Sequence, residues 1–235
     1  MHWIDRCAFV LFVAAQMACA LHVGLDPSWA VIPALIVGWF LADATSGLSH
    51  IWLDYHPCTP GRGLAELYHF PGNRREGGYE QRYREVMAGM PVVQRILFFN
   101  KSHHLRPNKL GRQPMLHTIR PALFAGGLGF AIALAATAYA QALPGWLVAG
   151  LAAANAGSVM SQHIHALAHR AVVPAPVRWL RATGLLLTPR RHALHHATYD
   201  RRFCMVNGWA DPLVDGIFRL LLRRRWIDPA GLIPT

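Results

Sequence analysis

Residues 29–54 read WAVIPALIVGWFLADATSGLSHIWLD, and this stretch decides the fold. Its first 14 residues are uncharged and apolar, too short alone for a span, which needs about 20 such residues. No breaker follows Asp43, so the spacing predicts one helix running on through His50 to Asp54. Seven residues separate Asp43 from His50 and four separate His50 from Asp54, so the three polar groups share one helical face. Ionisable side chains in an apolar helix are costly and mark function rather than packing.

Working outward, three more apolar segments are expected to cross a bilayer: residues 7–25, 121–143 and 144–162. The last two are the strongest by length and lack of charge. The first could be taken for a leader, since Ala18, Cys19 and Ala20 form a small-residue site. Asp5 beside Arg6 leaves its start without net charge, so a retained helix is the preferred reading. The composition agrees: 53% of the 235 residues are hydrophobic and only 15% charged, with a mean hydropathy of +0.22.

The formal charge of +11 could suggest nucleic-acid binding, but no recognised motif accompanies it. Of 23 Lys and Arg, 11 lie in residues 55–120 and 11 from Arg170 onward, leaving only Arg6 elsewhere. The connections near Asp26 and Pro144 carry none. This is the pattern of cytoplasmic loops under the positive-inside rule. Two helical hairpins with short external turns follow, with both termini and both basic blocks cytoplasmic. The expected fold is therefore all-α: a polytopic integral membrane protein of about four transmembrane helices, residues 1–235 forming a single domain. Cys7, Cys19, Cys58 and Cys204 have no metal-ribbon or disulfide spacing; the first two are expected to pack as small hydrophobes.

Histidine carries the functional signal, with 14 in the chain. His165 and His169 stand four apart at the end of the fourth apolar segment. His192, His195 and His196 stand at i, i+3 and i+4, and Asn100, His103 and His104 repeat that spacing. Each set projects from one face of a helix and can converge on a point. With His50 they give too many nitrogens for one zinc, which takes four ligands. They suit two metal ions, and imidazole serves iron as well as zinc or copper. Asp43 and Asp54 are read as either ligands or orienting partners of ligands. Asn100, His117 and His163 stay open as additional ligands. A lone histidine near a helix end is ordinarily a cap or solvated, so His2, His22, His56 and His69 receive no role.

A metal pair beside apolar helices suits oxidation of a lipid chain, whose unactivated C–H bonds no acid or base can attack. The motifs of serine hydrolases, zinc proteases, P-loop enzymes and dinucleotide binders are absent. No part of the chain looks like a reductase, so electrons must come from a separate donor protein, of the ferredoxin or cytochrome b5 type.

The four motifs taken in order resemble the lipid desaturase family that includes plasmanylethanolamine desaturase (the Kua or CarF-like proteins) and the plant chloroplast palmitate desaturase. DATSGLSHIWLD at 43–54 is similar to the family's D-x-x-S-G-x-x-H-W-x-x-D, and HHLRP at 103–107 to its H-H-x-x-P. His165 and His169 follow, and then H-x-x-H-H at 192–196 with Phe203-Cys204, Gly208 and DPLVD at 211–215. The similarity covers about residues 30–220. Departures are Ile51 with Trp52 one place late, Gln113 and Thr198-Tyr199-Asp200 where many members place histidines, and a longer stretch between Asp54 and His103. The lack of a further histidine near Asp200 is shared with the plant-type members and leans towards acyl-lipid chemistry.

The resemblance implies an oxidoreductase: a di-iron, O2-dependent desaturase that removes two hydrogens from adjacent carbons of a membrane lipid. Its product would be a plasmenyl vinyl ether from a plasmanyl ether lipid, or an unsaturated acyl chain. The expected metal ligands are His50, His103, His104, His165, His169, His192, His195 and His196, with Asp54 as the catalytic carboxylate. Two alternatives remain: a lipid or fatty-acid hydroxylase on the same di-iron site, and a zinc-binding membrane transport protein without redox chemistry.

Overall fold

A computed structural model describes residues 3–74 and 77–234. Helices α1 (Trp3–Leu25) and α2 (Val31–Tyr55) form the first hairpin. The single continuous helix expected over 29–54 is therefore present. Four short helices follow: α3 (Leu64–Tyr68), α4 (Gly77–Ala88), α5 (Val92–Leu105) and α6 (Pro107–Gly111). The second hairpin begins with α7 (Met115–Ala122), which runs through a π-helical turn (Leu123–Gly127) into α8 (Leu128–Tyr139) and returns as α9 (Gly145–Ala168). The chain ends with α10 (Ala175–Ala182), α11 (Pro189–Thr198), α12 (Asp211–Arg223) and a 3-10 turn (Pro229–Leu232). No strand occurs among the described residues, as the all-α reading expects.

Three helical stretches are long and apolar enough to cross a membrane: Trp3–Leu25, Val31–Tyr55 and Met115–Tyr139. The fourth segment expected to span is a helix, α9, whose 24 residues extend about 36 Å, but it is not among the three that are apolar enough. It falls short in apolarity because it carries Asn155, Ser158, Ser161, Gln162 and His163. Those groups find partners within the protein. Asn155 Nδ2 donates to the Gly127 carbonyl at 3.0 Å, and His163 Nδ1 lies 3.2 Å from Thr118 Oγ1.

The core of the bundle is the α2–α9 contact, which small residues make possible. A Cβ on Gly38 would lie 2.0 Å from the Gly150 carbonyl oxygen, and one on Gly157 would lie 2.6 Å from Ala42 Cβ. Close backbone approach of this kind is how helices associate where lipid offers no hydrophobic gain. The two short inter-helix connections meet at one end: Asp26 Oδ2 accepts the Gly145 N–H at 2.6 Å, and His22 Nε2 lies 3.0 Å from the Leu143 oxygen. Arg120 Nε pairs with Asp5 Oδ1 at 3.0 Å and ties α7 to α1. All four cysteines are free; Cys19 packs in the interior as expected, whereas Cys7 is on the outer face of α1.

Candidate metal centre

Four helices deliver the polar cluster. The last two turns of α2 carry His50 and Asp54, and the end of α5 carries Asn100, His103 and His104. The end of α9 supplies His165, with His169 capping it, and α11 supplies His192, His195 and His196. Helix α11 starts cleanly because Thr188 Oγ1 accepts the Arg191 N–H and Pro189 needs no donor at the first position. It stops at Tyr199, whose φ of 59° is left-handed.

The ligand-capable atoms form two adjoining groups, each within 4.8 Å: His103, His165, His169, His192 and His196 in one, and His50, Asp54, His104 and His195 in the other. The groups abut, with the His103 and His104 ring centroids 4.4 Å apart across the boundary. All eight histidines expected as ligands are therefore gathered, and Asp54 joins them as the carboxylate of the smaller group.

The geometry fits metal ions better than hydrogen bonding alone. Nitrogens about 2.0–2.1 Å from one ion stand about 2.9–3.4 Å from each other. The Nε2 atoms of His192 and His169, and of His196 and His192, are 2.9 Å apart, and those of His169 and His165 are 3.3 Å apart. A ring nitrogen carries either a proton or a lone pair, so the three contacts of this string cannot all be hydrogen bonds. In the second group Asp54 Oδ1 lies 3.1 Å from His104 Nε2, and Oδ2 lies 3.3 Å from His195 Nε2 and 3.7 Å from His50 Nε2. The Nε2 atoms of His50, His103, His104 and His195, and Asp54 Oδ2, are buried without a hydrogen-bond partner. Uncompensated burial of so many polar atoms would be costly, and a cation between them removes that cost.

Backbone carbonyls set the tautomers. His50 Nδ1–H donates to the Phe203 oxygen at 2.9 Å, His195 Nδ1–H to the Arg201 oxygen at 3.0 Å, and His103 Nδ1–H to the Asn100 oxygen. Each bond leaves the Nε2 lone pair facing inward. Burial and the surrounding imidazoles push His103 and His192 well below the ordinary histidine value, His169 to about 4 and His196 to about 2. They are held neutral, the form that binds metal. Asn100 Nδ2 donates to Asp54 Oδ1 at 2.6 Å, so Asn100 orients the carboxylate.

Asp43 lies elsewhere. Its Oδ1 accepts the N–H groups of Val206, Asn207 and Gly208 at 3.0, 2.9 and 3.1 Å, and Oδ2 accepts Ala210 N–H at 2.9 Å. Sharing a helical face with Asp54 was not enough: eleven residues place the two about 16 Å apart along α2. The loop it holds packs Phe203 and Cys204 against α2, where Gly47 leaves only 2.8 Å between its notional Cβ and Cys204 Sγ. His117 is exposed on α7 and His163 faces Thr118, so neither joins the groups. Gln113 gives its carbonyl to Arg170 Nη2 at 3.0 Å. At the edge of the second group, Tyr199 stacks on His104 with ring centroids 5.0 Å apart.

Lys101 was not legible as part of this region. It is fully buried, and its Nζ donates to the carbonyls of Leu53, Asp54 and Gly231, the last at 2.5 Å. The ammonium thus satisfies orphan carbonyls at the end of α2 and binds the C-terminal turn to it. A lysine beside a histidine pair was the only signal, and it says nothing of which carbonyls come near.

A cavity of about 680 Å³ lies between α2, α5, α7 and α9, and Asn100 and His103 are among its lining residues. Its walls are mainly apolar, including Leu53, Ile96, Phe99 and Met205.

Residues 87–223 match the family model described as the lipid desaturase domain. The chain is 23% identical to plasmanylethanolamine desaturase of Myxococcus xanthus, over 98% of its own length and 74% of the relative's. No solved structure matches it.

Proposed function

The chain belongs to the lipid desaturase family, and from that premise we propose that it is a di-iron, O2-dependent membrane oxidoreductase that introduces a double bond into a lipid chain. The observation that carries this reading is the pair of adjoining ligand groups, one of whose members, His103, lines a mainly apolar cavity. His103, His165, His169, His192 and His196 would hold one ion, and His50, Asp54, His104 and His195 the other. Bound there, the pair supplies the one-electron and O2 chemistry that an unactivated C–H bond requires.

The protein's own residues prepare the site. The carbonyls of Asn100, Arg201 and Phe203 fix ring orientation, and Asn100 fixes Asp54. The apolar walls at Leu53, Phe99 and Met205 exclude water and align a chain beside His103. Because α2, α5, α9 and α11 all contribute ligands, residues 1–235 act as one domain. The histidine end of the bundle, both basic blocks and both termini lie on the cytoplasmic side in this reading. A separate electron-transfer protein, of the ferredoxin or cytochrome b5 type, approaches from there. The lipid is a plasmanyl ether, as the relative's name suggests for that protein, or an acyl lipid.

The test combines metal analysis of the purified protein with lipid mass spectrometry of a deletion strain, with and without the restored gene. Two irons per chain and a lipid two hydrogens richer in the deletion support the reading. A lipid lacking one oxygen instead would make the protein a hydroxylase. Two zincs and an unchanged lipid profile would overturn the redox function.

A further inference from the structure

Beside the apolar cavity lies a second, smaller one of about 190 Å³, on the other side of the same wall. The two share Tyr83, Phe99, His103 and Leu110. The lining of the larger cavity includes Arg95 and Arg120, of which Arg95 Nε donates to the Met90 carbonyl and Arg120 pairs with Asp5. The small cavity is bounded by three cations, Arg74, Arg106 and Lys109. Among the described residues no carboxylate forms an ion pair with any of these three cations.

Three cations do not gather around a small space without a cost in repulsion. Burial, followed by the neighbouring Arg74 and Arg106, pushes the Lys109 ammonium below its ordinary value. The guanidinium of Arg74 stands over Tyr79 at 5.0 Å and the Lys109 ammonium over Tyr83 at 5.7 Å, so two of the three are held on aromatic faces. Arg74 Nη2 donates to the Tyr68 carbonyl at 2.5 Å, while its Nε is buried with no partner. An anion in the cavity would relieve the repulsion among all three.

We propose that this cavity is an anion subsite that holds the phosphate of a lipid whose chain occupies the larger cavity and passes His103. The volume has room for about a dozen water-sized groups, enough for a phosphate with a small polar substituent. An arginine fork suits phosphate oxygens, and lysine adds a point charge. With the head fixed at Arg74, Arg106 and Lys109, the distance along the chain to His103 is also fixed. The subsite would therefore determine which carbons meet the metal groups. This inference rests on the reading that a lipid chain lies against His103.

The test is equilibrium binding to the purified full-length protein in nonionic detergent. One ligand is a single-chain ether lipid carrying a phosphodiester. The other is the same chain ending in an uncharged glycerol. The wild type should prefer the first by at least roughly tenfold, the worth of one charge-assisted hydrogen bond. Lys109→Gln and Arg106→Gln should each reduce that preference roughly tenfold or more, leaving the uncharged lipid's affinity and the metal content unchanged. Inorganic phosphate should compete weakly with the phosphodiester lipid. Equal affinity for the two lipids in the wild type would overturn the proposal, as would variants that weaken both lipids alike. Tight binding of inorganic phosphate without displacement of the lipid would make this a free-phosphate site and would equally overturn it. Binding needs no turnover, so it is read independently of the lipid profile: charge-dependent binding together with an unchanged lipid profile in the deletion strain would sink the desaturase reading and leave the subsite standing.

Discussion

Replacing Asp43 by Asn separates a structural carboxylate from a metal ligand. In the native protein this side chain accepts four backbone N–H groups from residues 206–210, at 2.9 to 3.1 Å. Hydrogen bonds to a charged group contribute about 1.5–3 kcal/mol each, so the set contributes about 6–12 kcal/mol gross. That range overlaps the whole stability of an ordinary domain, about 5–15 kcal/mol. Asp43→Ala should therefore fail to accumulate. In Asp43→Asn the oxygen can keep the Oδ1 role with three weakened bonds, while the amide NH2 meets the Ala210 N–H donor to donor. The expected loss is about 2–4 kcal/mol, or roughly 5–15 °C in midpoint for a chain of this size. The assay is thermal unfolding in detergent together with metal per folded chain. Asp43→Asn should melt early yet carry the wild-type complement of metal. An unchanged midpoint with lost metal would refute the reasoning and make Asp43 a ligand.

Three further outcomes follow from the geometry. His195→Ala combined with His196→Ala removes one nitrogen from each ligand group and should lower bound iron, whereas His117→Ala should retain it; a full iron complement in the double variant counts against the assignment. Lys101→Met leaves the carbonyls of Leu53, Asp54 and Gly231 without their donor. It should cost about 2–4 kcal/mol and reduce metal occupancy, and an unaltered melting curve and metal ratio would exclude the clasp. Chelator-treated protein should lose stability as pH falls below about 6.5. The fold depresses His103, His169 and His192, so the unfolded chain takes up protons there that the folded chain refuses. Their stabilising contribution is complete above the unfolded value and disappears as pH falls towards the folded value, about 4 for His169. Equal midpoints at pH 7 and pH 5 would contradict it.

The sequence by itself determined that α2 carries polar groups at its end, that the fold is helical, and that the histidines fall in clusters on helical faces. Each of those rests on local periodicity: an apolar run without a breaker, and side chains three, four or seven residues apart on one helical face. Tertiary structure decided which members of a face converge. Asp43 shares the face of His50 and Asp54 but lies too far along the helix axis, and a loop more than 160 residues away supplies its partners. The division into groups of five and four, the carbonyls that set each tautomer and the Lys101 clasp depend likewise on contacts between distant segments. The fourth helix shows the same limit. Its polar residues lower its apolarity as a span, and only the packed bundle gives Asn155 and His163 their partners. Of the three cations around the small cavity, Arg106 and Lys109 stand three apart at the start of α6, but Arg74 comes from a separate turn, and no spacing announces its approach. Helical period fixes the direction in which a side chain points, whereas what it meets there is set by how the helices pack.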